Sequence, residues 1–174
     1  MNLQPTLQND LLKLRPLVAD DFDALYAAAN DPKIWDQHFD KRNELPNFKK
    51  FFSEGLDSKG ALVAVHKNSN KIIGTSRYYQ YEGFPDGIEI GWTFLARQYW
   101  GGMYNKMMKK MMIDHALKAV STVYLMVDKN NFRSQKAVGK IGGRLLTEKE
   151  KENHPVTRPS NYIFIVSRDQ WKAH

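Results

Sequence analysis

Residues 88–102 read IEIGWTFLARQYWGG, an apolar stretch that leads into a loop ending in two glycines. The β-branched and aromatic residues over 88–95 predict a strand. A helix is predicted to follow over residues 103–120, where methionines recur every four residues along a packing face. Free N–H groups at such a helix start bind phosphate oxygens, and glycines let a ligand approach the backbone closely. The stretch therefore predicts a phosphate-binding segment, although it contains neither a Walker loop nor a dinucleotide fingerprint.

The positive charge of the chain is concentrated around the same loop. The net charge is +7, and residues 97–144 carry 10 Lys or Arg against 2 Asp or Glu, whereas the rest of the chain is close to neutral. A concentrated positive field attracts phosphate or another polyanion. Lys106, Lys109 and Lys110 fall in the first turns of the predicted helix and are expected to add to that field. A phosphorylated cofactor and a nucleic acid are both compatible with this pattern.

Length and composition narrow the class of protein. The chain has 174 residues with 42% hydrophobic and 26% charged side chains, which fits one globular domain and excludes a disordered or fibrous chain. It has no cysteine, which excludes disulfides, thiolate zinc sites and cysteine nucleophiles. No apolar run is long enough to cross a membrane and no secretory signal is evident, so we expect a cytoplasmic protein.

The remaining pattern predicts strands and helices spread along the chain. Asp20 is expected to cap the first helix. A domain over residues 11–174 is expected, preceded by a short N-terminal extension over residues 1–10. Mixed strands with interspersed helices indicate an α/β or α+β sandwich rather than a doubly wound sheet. The expected strands lie at 11–17, 61–66, 71–81, 88–95, 122–127, 144–147 and 160–166, and the expected helices at 21–30, 46–56, 103–120 and 134–141.

Four short motifs occur in a characteristic order. They are LRPL at 14–17, IEIGW at 88–92, YWGG at 99–102, and NFRS at 131–134 followed by Ala137 and KIG at 140–142. This combination resembles the GCN5-related N-acetyltransferase (GNAT) superfamily, whose members transfer an acetyl group from acetyl-CoA to an amine. It is most similar to the ribosomal-protein-alanine N-acetyltransferase branch. The resemblance covers roughly residues 11–143, and no single motif carries it alone.

The resemblance implies a fold and a place for the co-substrate. It implies a mixed, mostly antiparallel sheet of six to seven strands, splayed between the fourth and fifth strands and flanked by about four helices. The pantetheine arm would lie in the gap and pair like an added strand with one backbone segment. That segment is Trp92, Thr93, Phe94 and Leu95.

The loop after this strand resembles the segment that wraps the pyrophosphate in the family. Its pattern is Q/R-x-x-G-x-G/A, and here Met103 replaces the last glycine or alanine, so the pocket must be shaped differently there. The resemblance implies that the loop and the following helix start bind acetyl-CoA. The residues implied are Arg97, Gln98, Trp100, Gly101, Gly102, Met103, Tyr104, Asn105 and Lys106.

Two further positions match family residues after the fifth strand. Asn131 matches an asparagine that bonds the pantetheine amides, and Ser134 matches a hydroxyl near the thioester sulfur. Asn131 alternatively only shapes a turn, and Ser134 alternatively only caps a short helix. Both interpretations of each residue are compatible with the sequence.

The chemistry needs a proton acceptor for the amine and a proton donor for the thiolate. Glu89 lies in the fourth strand, where the resemblance places the amine, and is the candidate base. Its alternative is a strand glutamate paired with Arg77 or facing solvent. Many family members place a tyrosine acid at the position of Val138. The acid is therefore Ser134 or water, unless a tyrosine reaches in from elsewhere, the candidates being Tyr104 and Tyr162.

The acceptor side is expected between the first two helices. Trp35 and Phe39 lie there and, with Glu89, are the candidate substrate-binding residues. The aspartates of residues 31–40 would attract a cationic amine, although the positive charges of neighbouring Lys and Arg residues weaken that attraction. The histidines show no metal-ligand spacing, so no metal is expected. The acceptor class is open between a protein N-terminus and a small-molecule amine, and a homodimer is compatible with the family.

Two other functions compete with acetyl transfer. One is a nucleic-acid-binding module that stacks bases on the aromatic side chains of the basic stretch, although one CoA can account for the same cations. The other is a protein with the same fold that binds CoA without turnover, which Met103 and Val138 leave open. Nucleic acid is the less favoured partner, and no membrane partner is expected.

Overall fold

The computed structural model describes residues 1–82, 86–152 and 158–172. Within these ranges the strands are β1 Leu7–Gln8, β2 Leu12–Pro16, β3 Ala61–His66, β4 Lys71–Tyr79, β5 Gly87–Leu95, β6 Thr122–Asp128, β7 Arg144–Leu145 and β8 Asn161–Ser167. The helices are α1 Phe22–Ala29, α2 Leu45–Asp57, α3 Tyr104–Ala116, α4 Phe132–Lys140, α5 Glu148–Glu152 and α6 Arg168–Lys172. Short 3-10 turns cover Ala19–Asp21, Pro32–Trp35 and Arg97–Tyr99. None of the described helices is long and apolar enough to cross a membrane.

The strands form one sheet in the order β1-β2-β3-β4-β5-β6-β8-β7. Every neighbouring pair is antiparallel except β5 with β6, which is parallel. The mixed, mostly antiparallel sheet is therefore confirmed. Its eight strands exceed the expected six to seven because of β1, whose two residues are too few to produce a recognisable alternation. β7 was expected over residues 144–147 and is shorter, at two residues.

Helices cover both faces of the sheet, and this determines the sequence of its central strands. Leu62 and Ala64 of β3 pack with α3, whereas Val63 and Val65 pack with α1 and α2. Because both faces are buried, β3 is apolar throughout instead of alternating. α4 packs on the α3 side through Val138.

The sheet opens in the middle, between β5 and β6. Their pairing stops after three residue pairs, at Glu89 opposite Tyr124. On its other side β5 carries a bulge, where Trp92 and Thr93 stand opposite the single residue Ser76 of β4. Trp92 has a φ of 51°, an uncommon value for a residue with a large side chain. The bulge and the early end of pairing together leave residues 90–95 of β5 without a partner strand on the β6 side.

Several expected boundaries are corrected. Asp20 does not cap α1; the neighbouring Asp21 instead accepts the Val18 N–H at 3.0 Å and pairs with Arg15 at 2.6 Å. Residues 1–10, expected as an extension, contribute β1 to the sheet. α3 ends at Ala116, four residues before the expected end, and residues 117–119 form a turn in which the Ala116 carbonyl accepts the N–H groups of residues 119 and 120. The charged C-terminal loop contains α5, and part of the turn expected at 83–87 lies outside the described residues.

Gly74 is required where β4 meets the end of β5. A Cβ at this position would lie 2.1 Å from the Phe94 carbonyl oxygen. We expect Gly74→Ala to lower the free energy of unfolding by at least about 2 kcal/mol, because backbone must move to make room. Gly139, on the exposed side of α4 with nothing within 4 Å, is the matched control: Gly139→Ala should raise stability by about 0.5–1 kcal/mol. Urea unfolding measures both, and an unchanged Gly74→Ala midpoint would contradict the close approach.

Candidate functional site

A cavity of about 470 Å³ occupies the gap between β5 and β6. This volume is typical of a site for a small ligand or cofactor. Its walls come from the unpaired end of β5, the loop after it, the starts of α3 and α4, and the chain near residues 38, 42 and 158. The residues that line it include His38, Arg42, Glu89, Gly91, Trp92, Thr93, Phe94, Leu95, Tyr99, Trp100, Gly101, Gly102, Asn105, Lys109, Asp128, Asn131, Arg133, Ser134, Val138 and Arg158.

Most of the residues expected to bind acetyl-CoA border this cavity. The four-residue backbone segment of β5 lines one wall, and Trp100, Gly101, Gly102 and Asn105 line the end beside α3. Gly101 has a φ of 74°, a left-handed conformation that favours glycine. The Trp100 ring is fixed by its Nε1, which donates to the Leu95 carbonyl at 2.8 Å. The structure thus brings the strand and the loop to a common space.

Five other expected residues do not line the cavity. Arg97 pairs with Asp31 at 2.5 Å, and with Gln98 it borders a separate, more open groove of about 990 Å³ beside α1. Met103 and Lys106 are exposed to solvent. Tyr104 turns away from the gap, with its hydroxyl 3.3 Å from His66 Nε2.

Asn131 caps α4 at the cavity wall. Its Oδ1 accepts the Ser134 backbone N–H at 3.0 Å, and its Nδ2 lies 3.4 Å from His38 Nε2. The capping role is thereby shown for Asn131 and not for Ser134, whose side chain lies in the first turn of α4. Burial, followed by the nearby Arg42 charge, lowers the pKa of His38 to about 4. His38 is therefore neutral near pH 7.

Glu89 is the buried acidic group of the cavity, with a residue exposure of only 2%. It accepts a hydrogen bond from the Tyr81 hydroxyl and one of 3.3 Å from Arg158 Nη1. Arg158 Nη2 in turn donates to the Tyr81 hydroxyl at 2.8 Å. Burial raises the pKa of Glu89 above its usual value. A raised pKa brings a carboxylate closer to the range of a useful proton acceptor.

The space around Glu89 explains why the IEIGW motif has a glycine at position 91. A Cβ at that position would lie 2.9 Å from Glu89 Oε1. The missing side chain therefore gives the carboxylate its space. The alternative partner expected for Glu89 was Arg77, but Arg77 forms no salt bridge with it and packs against aromatic rings instead.

Lys109 is buried under the β5 bulge and does not contribute to the positively charged surface near the loop. It is 6% exposed, and its Nζ donates to Thr93 Oγ1 at 2.6 Å and to Ser76 Oγ at 3.3 Å. Both partners are neutral hydroxyls, and the nearest negative influence is the charge of Glu89. Burial lowers the pKa of Lys109 to about 7. The expectation that it contributes to phosphate attraction at the helix start is corrected.

The expected aromatic contacts for the acceptor are not at the cavity. Trp35 is fully buried in the core, where its Nε1 donates to the Ala29 carbonyl at 2.8 Å. Phe39 is 97% exposed and does not border the gap. From the same chain segment it is His38 and Arg42 that reach the cavity.

The tyrosines considered as an acid are also elsewhere. Neither Tyr104 nor Tyr162 lines the cavity, and Val138 presents a buried apolar side chain there. Ser134 is the hydroxyl on this wall from α4. Among the described residues, no three or more His, Asp or Glu side chains gather in a group that could hold a metal ion.

Sequence reasoning missed four residues of the site: Arg42, Tyr81, Lys109 as an inward-facing group, and Arg158. Each comes from a different segment, and none belongs to a motif. The signal that could have found Lys109 is its position three residues before the buried Met112 on the apolar face of α3. The others carry no local signal, since only the folded chain brings them to Glu89.

The sequence matches a known family over most of its length. The model of the acetyltransferase (GNAT) domain matches residues 12–144. The chain therefore belongs to the GNAT acetyltransferase family. The comparison with curated proteins found no significant match.

Solved structures share the fold at low sequence identity. A GCN5-related N-acetyltransferase from Brucella melitensis is 16% identical with a TM-score of 0.81, over 98% of this chain and 81% of that chain. An acetyltransferase from Agrobacterium tumefaciens is 24% identical with a TM-score of 0.72, over 93% and 94% of the chains. A spermidine N-acetyltransferase from Vibrio cholerae in complex with CoA and spermine is 13% identical with a TM-score of 0.68, over 94% and 99%.

The buried Lys109 predicts a pH-dependent stability. Its pKa is about 7 in the folded protein and near 10.5 when unfolded, so the folded state carries the full cost of the buried charge below pH 7. That cost disappears as the pH rises from 7 through 10.5. We expect Lys109→Met to be more stable than the wild type by about 1–4 kcal/mol at pH 6, and by less at pH 9.

Lys110→Met is the matched control for this measurement. Lys110 is the next residue on α3, and its exposed Nζ lies 2.8 Å from Asp114, so losing it should change stability by less than about 1 kcal/mol. Urea unfolding at pH 6 and pH 9 compares the three proteins. A Lys109→Met protein that is less stable than the wild type at pH 6 would mean that Glu89 compensates the ammonium fully.

Proposed function

We propose that this protein transfers the acetyl group of acetyl-CoA to a primary amine. The observation that carries the proposal is the buried carboxylate of Glu89 beside a cavity that also borders the glycine loop. Membership of the GNAT acetyltransferase family supports the same reaction class. The neighbour from Vibrio cholerae is a complex with CoA, which supports CoA as the co-substrate.

The fit of the cavity to acetyl-CoA rests on the unpaired edge of β5. The backbone of residues 92–95 offers N–H and C=O groups to an extended chain, as a partner strand would. Trp100, Gly101, Gly102 and Asn105 border the end where the phosphates bind, and α3 begins there. Asn131 holds the start of α4 against the same space. When bound, acetyl-CoA supplies the thioester that is cleaved.

Glu89 is the proton acceptor in the proposed reaction. It receives the proton that the amine loses, directly or through one water molecule. The amine nitrogen bonds to the acetyl carbon, the carbon–sulfur bond breaks, and the sulfur leaves with the bonding electrons. The Tyr81 hydroxyl and Arg158 orient the carboxylate, and Arg158 stabilises its charged form.

Ser134 is the proposed proton donor to the sulfur. Its hydroxyl is on the cavity wall formed by α4, where the apolar Val138 offers no proton. Ser134 then recovers a proton from water, and Glu89 gives up its proton to the hydroxide that remains, so the products are an amide and the free thiol and both residues return to their starting forms. No other α4 hydroxyl borders the cavity among the described residues.

The acceptor in this proposal is a protein N-terminus or a small-molecule amine, and the ribosomal-protein-alanine branch is one form of the first. The nucleic-acid alternative is weaker because three of the four aromatic residues of the basic stretch are engaged in other contacts, and only Phe132 is largely exposed, at 67%. Tyr99 and Tyr104 pack edge to face at 5.0 Å, and the Arg133 guanidinium covers the Trp100 ring at 4.1 Å. Stacked bases need open rings.

Acetyl-CoA should stabilise the protein. A ligand at about 100 times its Kd adds ~2.7 kcal/mol, which for a domain of this size raises Tm by roughly 5–10 °C. Thermal unfolding with acetyl-CoA measures the shift, and ATP and a short RNA serve as controls. A salt-sensitive rise with RNA and none with acetyl-CoA would refute the proposal in favour of a nucleic-acid module.

Glu89→Gln and Ser134→Ala should separate the two proton transfers. We expect Glu89→Gln to lower kcat about 10²–10⁴-fold and to remove the loss of activity that the wild type shows as pH falls through the raised pKa of Glu89. Ser134→Ala should lower kcat while leaving that acidic limb in place. Steady-state release of CoA thiol against pH measures both, with the exposed-site variant Glu148→Gln as control. An unchanged Ser134→Ala kcat at every pH would remove Ser134 from the mechanism.

A further inference from the structure

Three arginines and three aromatic rings alternate in a row that meets the cavity holding Glu89 at Arg42, Trp92 and Arg158. Each guanidinium lies over or beside one or two rings at 4.4–5.8 Å from the ring centres. We call this row the arginine ladder; in order, it comprises Trp35, Arg42, Phe51, Arg77, Trp92 and Arg158. Cation–π contacts fix the positions of guanidinium groups, but they do not neutralise the charge.

Arg77 is a buried cation that has no carboxylate partner in the described part of the chain. It is 5% exposed, and its Nη2 donates only to the Phe51 carbonyl at 3.3 Å, while its Nε has no hydrogen-bond partner. Burial lowers its pKa to about 10, so it stays charged at neutral pH. The ladder therefore carries, one ring away from the cavity, a positive charge that Glu54 and Glu89 offset only through space.

Arg42 lies on the cavity wall and is also weakly compensated. Its side chain is 15% exposed, and its partner Asp40 is 3.6 Å away with 59% of its side chain in solvent. Arg158 at the other end of the ladder is paired with Glu89. On the cavity wall itself, Arg42 and Arg158 stand with the one buried carboxylate of Glu89, which leaves this part of the wall positive.

The phosphates of the co-substrate are proposed to bind at the end of the cavity away from Glu89. Between Glu89 and Leu95 the strand advances about 3.3 Å per residue, or roughly 20 Å in total. The loop with Gly101 lies beyond that end of β5. Arg42 lines the same cavity with only an exposed aspartate as its partner, so it is available to an anionic group of the acceptor.

We propose, on the basis of the proposed acetyl transfer, that the acceptor is a small amine that also carries an oxyanion. Arg42 binds the oxyanion, and the amine faces Glu89. An oxyanion fits the planar fork of a guanidinium, whose donors can hold two oxygens at once. The rings of Trp35 and Phe51 hold the Arg42 fork in place before the acceptor arrives.

The same charges disfavour a polyamine. A second ammonium would approach Arg42 and Arg158 with like charge, and like charges in a desolvated site oppose binding. A carboxylate or phosphate on the acceptor reverses that sign. The specificity expected here therefore differs from that of the Vibrio cholerae neighbour, which is a spermidine N-acetyltransferase.

The test compares acceptors that differ only in the anionic group. The wild-type enzyme is assayed for CoA-thiol release with the common amino acids, their amides, 2-aminoethyl phosphate and spermidine. We expect at least a tenfold higher kcat/KM for the best amino acid than for its amide, and no turnover of spermidine. Preference for 2-aminoethyl phosphate over every amino acid would identify phosphate as the oxyanion, which also supports the proposal.

Arg42→Gln tests the residue itself. We expect at least a tenfold rise in KM for the anionic acceptor, little change in kcat, and an unchanged KM for the amide. Lys50→Gln, which removes an exposed charge of α2, should leave all values as in the wild type. Arg42→Lys keeps the positive charge but lacks the planar fork of donors. Its KM for the anionic acceptor should therefore lie between those of the wild type and Arg42→Gln. If Arg42→Gln does not fold, the acceptor series alone decides.

Three results would overturn the proposal. Equal kcat/KM for acid and amide, turnover of spermidine above the amino acids, or an equal rise in KM for both acceptors in Arg42→Gln would each do so while leaving acetyl transfer intact. No transfer to any compound, although acetyl-CoA still raises Tm, would instead refute acetylation of free amines and this proposal with it.

Discussion

The parallel seam between β5 and β6 is three residue pairs long, and the site depends on where it ends. Beyond Glu89 the two strands separate, so residues 90–95 of β5 have no partner strand on that side, and the proposed co-substrate would pair with their backbone. The bulge at Trp92 and Thr93 turns β5 away on its other side. If the seam continued by four or five residues, the cavity would close and Glu89 would become an ordinary buried strand residue. Every chemical role assigned to a side chain thus depends on the geometry of the gap.

The second constraint is the burial of charged side chains, which are compensated by neighbouring groups to different degrees. Glu89 is matched by Arg158 and by the Tyr81 hydroxyl, so its charge is compensated from several directions. Lys109 and Arg77 have only neutral hydrogen-bond partners, and burial lowers the pKa of both. Because uncompensated buried charges reduce stability, their presence around one cavity is the pattern expected of a binding site rather than of a packing core.

The sequence predicts the parts of this structure that depend on local pattern. The strand over residues 88–95, the glycine loop and the central hairpin are where apolar runs and turn residues indicate them. The side-chain partners of Glu89 could not be predicted, because Tyr81 and Arg158 lie far apart in the chain and meet only in the fold. Trp35 and Phe39 show a related limit: both are aromatic, yet one is core and the other is in solvent. Composition marks a residue as apolar but does not tell in which direction the backbone will present it.

The short seam also separates two antiparallel parts of one sheet. β1 to β5 form a continuous antiparallel half whose contacts are mostly between neighbours in sequence, and β6, β8 and β7 form the other half. Few backbone hydrogen bonds join the halves, so the seam should be among the first parts of the sheet to exchange its amide hydrogens. Both halves share one hydrophobic core, so such opening is local to the seam and its effect is to admit water to Glu89. A ligand that bridges β5 and β6 would hold the seam closed and slow that exchange.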